Sequence, residues 1–302
     1  MINFKALAPK STTLRAKMHK ASAGPVPARS IRTLHASEYV KPDFCARRIS
    51  IMDTTGKKPR DEYLTTAHVL TFAFGHAIQR VVINKMVDAG TAVSDWKCLV
   101  CKAKWRFTKR PIACTVCGHN LIDPEEPRLV CPDTGLSGGL DVCADLGGLR
   151  PVIIETKSIR PEDFKKLDKP LPEHTLRTQL YLDLAARIPA SDPLHGKIDT
   201  TRAIVFYVSK GGFGAMDEGL PKEGVLEKFS PYREYVVTPN PKAVMGPFSR
   251  AKQVKGYRDR TQAMPENETC PNAFCPRAKT CEVAKECFSG QFPAGFMLPA
   301  AP

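Results

Sequence analysis

From Asp61 to Val87 the apolar positions Tyr63, Leu64, Val69, Leu70, Phe72, Ala77, Ile78, Val81, Val82 and Met86 recur at helical spacing, broken by Gly75. The pattern predicts one long helix, or two joined near the glycine. From Gly138 to Lys157 two runs rich in Val, Leu and Ile flank Gly147-Gly148, which predicts a β-hairpin whose turn needs positive φ. Leu176, Leu180, Leu184 and Ile188 then fall four apart with Tyr181 and Ala185 beside them, so Glu173 to Ile188 reads as a helix with one apolar face. Ala203 to Val208 is a short unbroken apolar run, the mark of a buried strand. Helix, hairpin, helix, strand is the order of an α/β core. Beyond Pro239 the chain turns polar and basic and ends in a cysteine-rich stretch and a Pro- and Ala-rich tail.

Composition narrows the class. The chain of 302 residues is 42% apolar, enough for a sizeable core in one or two domains. Its formal charge of +14 favours a polyanionic partner such as nucleic acid. The most apolar stretch, His68 to Ile83, carries His and Gln and falls short of the roughly 20 clean apolar residues that span a bilayer. No membrane partner is therefore expected. The segment up to about Ser30 is basic, lacks an apolar core followed by a cleavage signal, and reads as a flexible arm. The eleven cysteines cluster at metal-ligand spacings, so metal binding in an intracellular, cytoplasmic protein is a better use for them than disulfides.

The second hairpin strand, Val152-Ile153-Ile154-Glu155-Thr156-Lys157, is apolar until it presents two charges, and alternation puts Glu155 and Lys157 on one face. A three-residue loop of Gly147, Gly148 and Leu149 would set Asp141 directly across from Glu155; a two-residue loop would shift the pairing by one. Two carboxylates with a lysine suit phosphodiester hydrolysis. The acids hold Mg²⁺ or Mn²⁺, hard cations that prefer oxygen, while the lysine orients a water and offsets transition-state charge. Asp133 and Asp145 are rival first acids.

These residues resemble the PD-(D/E)XK nucleases, and among them the RecB-like and CRISPR-associated exonucleases with their phage-encoded members. The resemblance implies a restriction-endonuclease-like core, a mixed central sheet flanked by helices. The family's Gly-x-x-Asp and Glu-x-Lys motifs correspond to Asp141, Glu155 and Lys157. Its following helix, usually His-x-x-Gln-x-x-x-Tyr, corresponds to the stretch from His174 to Tyr181, with Arg177 at the Gln position. Arg177 and Tyr181 lie four apart on one helical face that could meet a DNA phosphate. Upstream, Gly-x-x-x-His becomes Gly75 to Gln79, which leaves His76 as the substitute metal ligand.

Cys98-x2-Cys101 and Cys114-x2-Cys117 are two knuckles at the spacing of a structural zinc ribbon, a closed site that stabilises a fold. Lys102, Lys104, Trp105, Arg106, Lys109 and Arg110 between them offer cations and a stacking surface to DNA. Near the end, Cys270, Cys275, Cys281 and Cys287 supply four more thiols, with Cys45 far upstream. Iron-sulfur exonucleases of the resembled family take one ligand from before the core and three from after it. That layout implies a 4Fe-4S cluster on Cys45, Cys281, Cys287 and either Cys270 or Cys275. A second zinc on the last four cysteines and free buried thiols stay open. Cys131 and Cys143 match no site.

The expected organisation is a basic arm over 1–35, an N-terminal helical part over 36–95, the ribbon as an insertion over 96–122, the nuclease core over 123–260, and the cysteine cluster with its tail over 261–302. The expected function is a metal-dependent DNA exonuclease, acting on single strands or ends in recombination, repair or phage genome metabolism. The departures at Gln79 and Arg177 would suit a different class, a nucleic-acid-binding protein that keeps the fold and has lost the chemistry. A zinc-ribbon accessory protein would leave Asp141, Glu155 and Lys157 unexplained.

Overall fold

The computed structural model describes residues 24–26, 31–57, 62–211 and 230–289. Most of the expected basic arm and the Pro- and Ala-rich tail lie outside the described residues. The described residues begin with strands β1 (Gly24–Val26) and β2 (Leu34–His35), helices α1 (Ala36–Tyr39) and α2 (Ala46–Thr55), strand β3 (Glu62–Leu64) and the long helix α3 (Thr66–Asp88). Strands β4 (Ala92–Cys98), β5 (Lys104–Thr108), β6 (Ile122–Glu125), β7 (Arg128–Val130), β8 (Leu136–Gly139), β9 (Val142–Ala144) and β10 (Val152–Ile159) follow. Helices α4 (Pro161–Lys165) and α5 (Pro172–Ala186), strands β11 (Asp199–Ser209) and β12 (Tyr232–Val237), and helices α6 (Pro241–Arg258), α7 (Pro276–Thr280) and α8 (Ala284–Cys287) complete the order.

The main sheet is mixed. Seven strands run in the order β12-β11-β10-β9-β4-β5, with β6 also on β4. The β10–β11 pair is parallel and its neighbours are antiparallel. Alternation along β10 sorts its side chains between two faces. Ile153 packs with Leu180 and Leu184 of α5 and with Val244 and Phe248 of α6. Val152 and Ile154 pack on the other face with Ile83 and Met86 of α3. Glu155 and Lys157 share the parity of Ile153 and so emerge under α5, whereas Ser158 faces α3, where a Cβ on Gly75 would meet its Oγ at 3.7 Å.

α3 is one uninterrupted helix, capped by the Thr65 hydroxyl accepting from the His68 N–H, and Gly75 does not break it. Its 23 residues make about 34 Å of helix, along which Leu70, Phe72 and Phe74 are exposed instead of forming a buried stripe. The first strand of the predicted hairpin is divided between two sheets: β8 pairs with β7 and β2, and only β9 pairs with β10. Ala92 and Val93 of β4 pair with β9 while Lys97 and Cys98 pair with β6. One strand carries the sheet into the first knuckle. Among the described residues no helix is long and apolar enough to cross a membrane.

Candidate active site

The pairing of β9 with β10 sets Ala144 opposite Val152, Cys143 opposite Ile153 and Val142 opposite Ile154. One step further along this register, Asp141 faces Glu155. The register is the one a three-residue turn would impose, although the connection is the longer loop around Gly147, whose φ is +79°. Asp141 Oδ2 accepts the backbone N–H of Thr156 at 2.8 Å, which ties the acid to the neighbouring strand. Glu155 is 1% exposed. Its Oε1 receives Lys157 Nζ at 2.6 Å and Arg177 Nη1 at 3.3 Å. A buried carboxylate is tolerable only with such partners.

Two carboxylates in a largely dry site repel each other. Burial, and then the charge of Glu155, push the Asp141 carboxyl up to about 7, against the opposing pull of Lys157 and the Thr156 N–H. The pair is thus arranged to release a proton readily when a cation arrives. Oxygen-only donors of this kind fit a hard divalent ion.

α5 roofs the cluster. Tyr181 lies one turn beyond Arg177, and its ring sits where a Cβ on Gly138 would be, 2.6 Å from Cε1. Glycine at 138 is therefore what lets the ring down onto β8. At the next position a Cβ on Gly139 would lie 2.4 Å from Glu126 Oε2. Glu126 is an exposed third carboxylate whose charge reaches both Asp141 and Tyr181. The motifs held no sign of it, since it comes from the bend between β6 and β7. His174, on the first turn of α5, makes a 2.8 Å hydrogen bond from Nδ1 to the hydroxyl of Tyr207. Burial, followed by the charges of Lys157 and Arg177, holds its imidazole down to about 4, so it is neutral near pH 7. Tyr207 pairs in register with Lys157 on β11 and also accepts the Leu171 N–H at 2.9 Å.

The remaining candidates lie elsewhere. His76 is exposed on α3, which covers the face opposite Glu155, so the structure does not bring it to the carboxylates. Asp133 is exposed on the turn before β8. Asp145 is engaged by Lys109 at 3.1 Å and by the Gly147 N–H.

Cys98, Cys101, Cys114 and Cys117 bring their sulfurs within 4.8 Å of one another and could hold a metal ion. The Cys98–Cys117 and Cys101–Cys114 sulfur separations are 3.6 and 3.4 Å. The Cys101 backbone N–H, with help from that of Val100, lowers the Cys98 thiol to about 6, favouring the thiolate a metal requires. The cations between the knuckles are largely committed to acids of the chain itself. Lys104 pairs with Glu125 at 2.7 Å, Arg106 with Asp95 at 2.9 Å and Lys109 with Asp145.

A second cysteine-lined cavity lies between α2 and the C-terminal segment. Cys45, Cys270, Cys281 and Cys287 line it with Arg48 and Phe288. Cys275 caps α7, accepting the Ala278 N–H at 3.3 Å. Arg48 forks onto Glu282 at 2.9 and 3.0 Å, and Arg47 donates to the Pro265 carbonyl at 3.0 Å, so the two distant parts of the chain are already fastened around the cavity. The sulfurs here do not form a group within 4.8 Å, as the ribbon's do.

No protein-family model matches the chain, and no curated protein matches it. Three solved structures match it at 12% identity. SSO0001 gives a TM-score of 0.35 over 88% of this chain and 90% of its own. LHK-Exo in complex with dAMP gives 0.41 over 76% and 90%. The alkaline exonuclease LHK-Exo from Laribacter hongkongensis gives 0.39 over 81% and 91%. At such values the likeness does not bear on what this chain does, and the reading that follows rests on the site.

Proposed function

We propose that the chain is a divalent-metal-dependent deoxyribonuclease of the PD-(D/E)XK kind, an exonuclease acting on DNA single strands or ends. The observation that carries this is the meeting of Asp141, Glu155 and Lys157 under α5: two acids from adjacent strands with an ammonium 2.6 Å from the second. Asp141 and Glu155 would hold Mg²⁺ or Mn²⁺. When bound, the ion supplies positive charge to the scissile phosphate and makes a coordinated water more acidic.

The chain's own groups do the rest. Glu155 holds the Lys157 ammonium at the mouth of the cluster, where it orients the attacking water and offsets charge on the phosphate. Arg177, partly exposed at the rim, grips a phosphate oxygen. Neutral His174, fixed by Tyr207, adds no charge beside these two cations. The ribbon cysteines would bind zinc in a closed structural site, since tetrahedral Zn–S bonds of about 2.3 Å bring sulfurs roughly 3.8 Å apart. The wider set of Cys45, Cys270, Cys281 and Cys287 suits a larger inorganic core, a 4Fe-4S cluster, with Cys275 the spare thiol.

The deciding experiment incubates purified protein with end-labelled single- and double-stranded DNA and Mn²⁺, comparing wild type with Glu155→Ala and Lys157→Ala. Hydrolysis by wild type alone is expected. Equal products from all three would reject the site, and DNA binding without cleavage by wild type would leave the binding-protein reading. Anaerobic purification with iron and sulfide analysis tests the cluster; zinc at the terminal cysteines would reject it.

A further inference from the structure

Glu155 carries two cations on one oxygen. Lys157 Nζ stands 2.6 Å from Oε1 and Arg177 Nη1 3.3 Å from the same atom, with the carboxylate side chain only 2% exposed. The charge of Glu155 is therefore already met by Lys157 and Arg177 before any divalent ion arrives. An ion entering this pair of acids must displace or approach a guanidinium, and at such distances in a largely dry site that repulsion is substantial. Lys157 lies two residues from Glu155 on the same strand, and its side chain is the less exposed of the two cations, at 20%. Arg177 projects from α5 with 29% of its side chain exposed, so a rotation of its long stem takes it off Glu155 toward solvent. A phosphate is the ligand for which a planar guanidinium is best shaped, offering two parallel N–H groups to two oxygens.

We propose that Arg177 is an internal counter-ion that occupies Glu155 until a DNA phosphate draws the guanidinium away, so that divalent metal and DNA enter the site cooperatively. The inference rests on the metal-dependent nuclease reading above. Arg177 is then a positioning residue for the cation as well as a phosphate ligand, and its place beside Glu155 keeps the chain from loading metal in the absence of substrate. Linkage makes the effect reciprocal: whatever factor DNA adds to metal affinity, metal adds to DNA affinity.

The test measures Mn²⁺ binding to the full chain by electron paramagnetic resonance of the free ion, with and without a short phosphorothioate oligonucleotide that resists cleavage. Wild type is compared with Arg177→Gln, Arg177→Met and Glu155→Gln, each checked for folding by circular dichroism. Without DNA, both Arg177 variants are expected to bind Mn²⁺ at least about tenfold more tightly than wild type. With the oligonucleotide, wild type gains about that factor and the variants gain little. Variants that bind Mn²⁺ no more tightly than wild type without DNA, while Glu155→Gln loses the ion, would overturn the counter-ion role and leave the nuclease reading intact. If Glu155→Gln retains wild-type Mn²⁺ binding, the carboxylates are not the metal site and both readings fall.

Discussion

Replacing Gly138 with alanine puts a methyl group into the ring of Tyr181. The ideal Cβ lies 2.6 Å from Cε1 and 2.9 Å from Cδ1, with Leu184 Cδ1 at 3.4 Å. Ordinary carbon contacts are about 3.5–4 Å, so the ring must retreat by close to 1 Å. It has little room, since Tyr181 is 5% exposed and Leu180 and Leu184 on the same helix are fully buried. Overpacking of this kind costs about 1–3 kcal/mol, offset by the roughly 0.4–1 kcal/mol that alanine gains over glycine by restricting the unfolded chain. The net expectation is a loss of about 1–2 kcal/mol, or roughly 0.3–0.7 M in the urea midpoint for a slope near 3 kcal/mol per molar. Gly139→Ala is the control. Its Cβ meets the end of the exposed Glu126 side chain at 2.4 Å, which can swing aside, so its stability should stay within about 0.5 kcal/mol of wild type. Urea titrations followed by tryptophan fluorescence compare the two. Gly138→Ala as stable as Gly139→Ala would mean that the ring is not seated on the glycine.

With Asp141 pushed up to about 7 from 3.8, its folded-state carboxyl lies above the unfolded value, so its contribution to stability is complete at low pH and is lost as pH rises through about 7. The metal-free urea midpoint should fall between about pH 4 and 7, more steeply in wild type than in Asp141→Asn; parallel profiles would contradict the assignment. Glu126→Gln should raise the Mn²⁺ concentration for half-maximal DNA hydrolysis by about three- to tenfold, because it removes a carboxylate charge that reaches Asp141; an unchanged requirement would leave Glu126 outside the site. Cys98→Ser should abolish one equivalent of zinc released to a chromogenic chelator and expose Trp96, which is 1% exposed and donates its indole N–H to the Thr108 carbonyl at 2.7 Å. Unaltered zinc and fluorescence in that variant would count against the ribbon.

Local pattern was a good guide wherever the physics was local. The helix α5 announced itself through Leu176, Leu180 and Leu184, and β10 through an apolar run ending in charges. The knuckle spacing foretold that four sulfurs would converge, because a short loop leaves each Cys-x-x-Cys pair little freedom. One local signal went unused: Asn240 followed by Pro241, with Val244, Phe248 and Ala251 at helical spacing, marks the start and buried face of α6. The charge of the segment hid it.

Position relative to other elements was a different matter. His76 lies in a plausible motif, but nothing in its neighbours along the chain says which face of the sheet α3 will cover. Glu126 is fifteen residues before Asp141, and its charge reaches that acid because the bend between β6 and β7 lies against Gly139. Leu70, Phe72 and Phe74 are exposed, which the helix's own periodicity could not reveal. The sequence by itself determined the alternation that puts Glu155 and Lys157 on one side of a strand, and the pairing of the ribbon cysteines. Tertiary structure alone decided that this side lies beneath α5, that Arg177 reaches Glu155, and that His76 falls on the opposite face of the sheet. The physical reason is that side-chain direction repeats with the backbone's own period, whereas contact between distant segments depends on how whole faces pack.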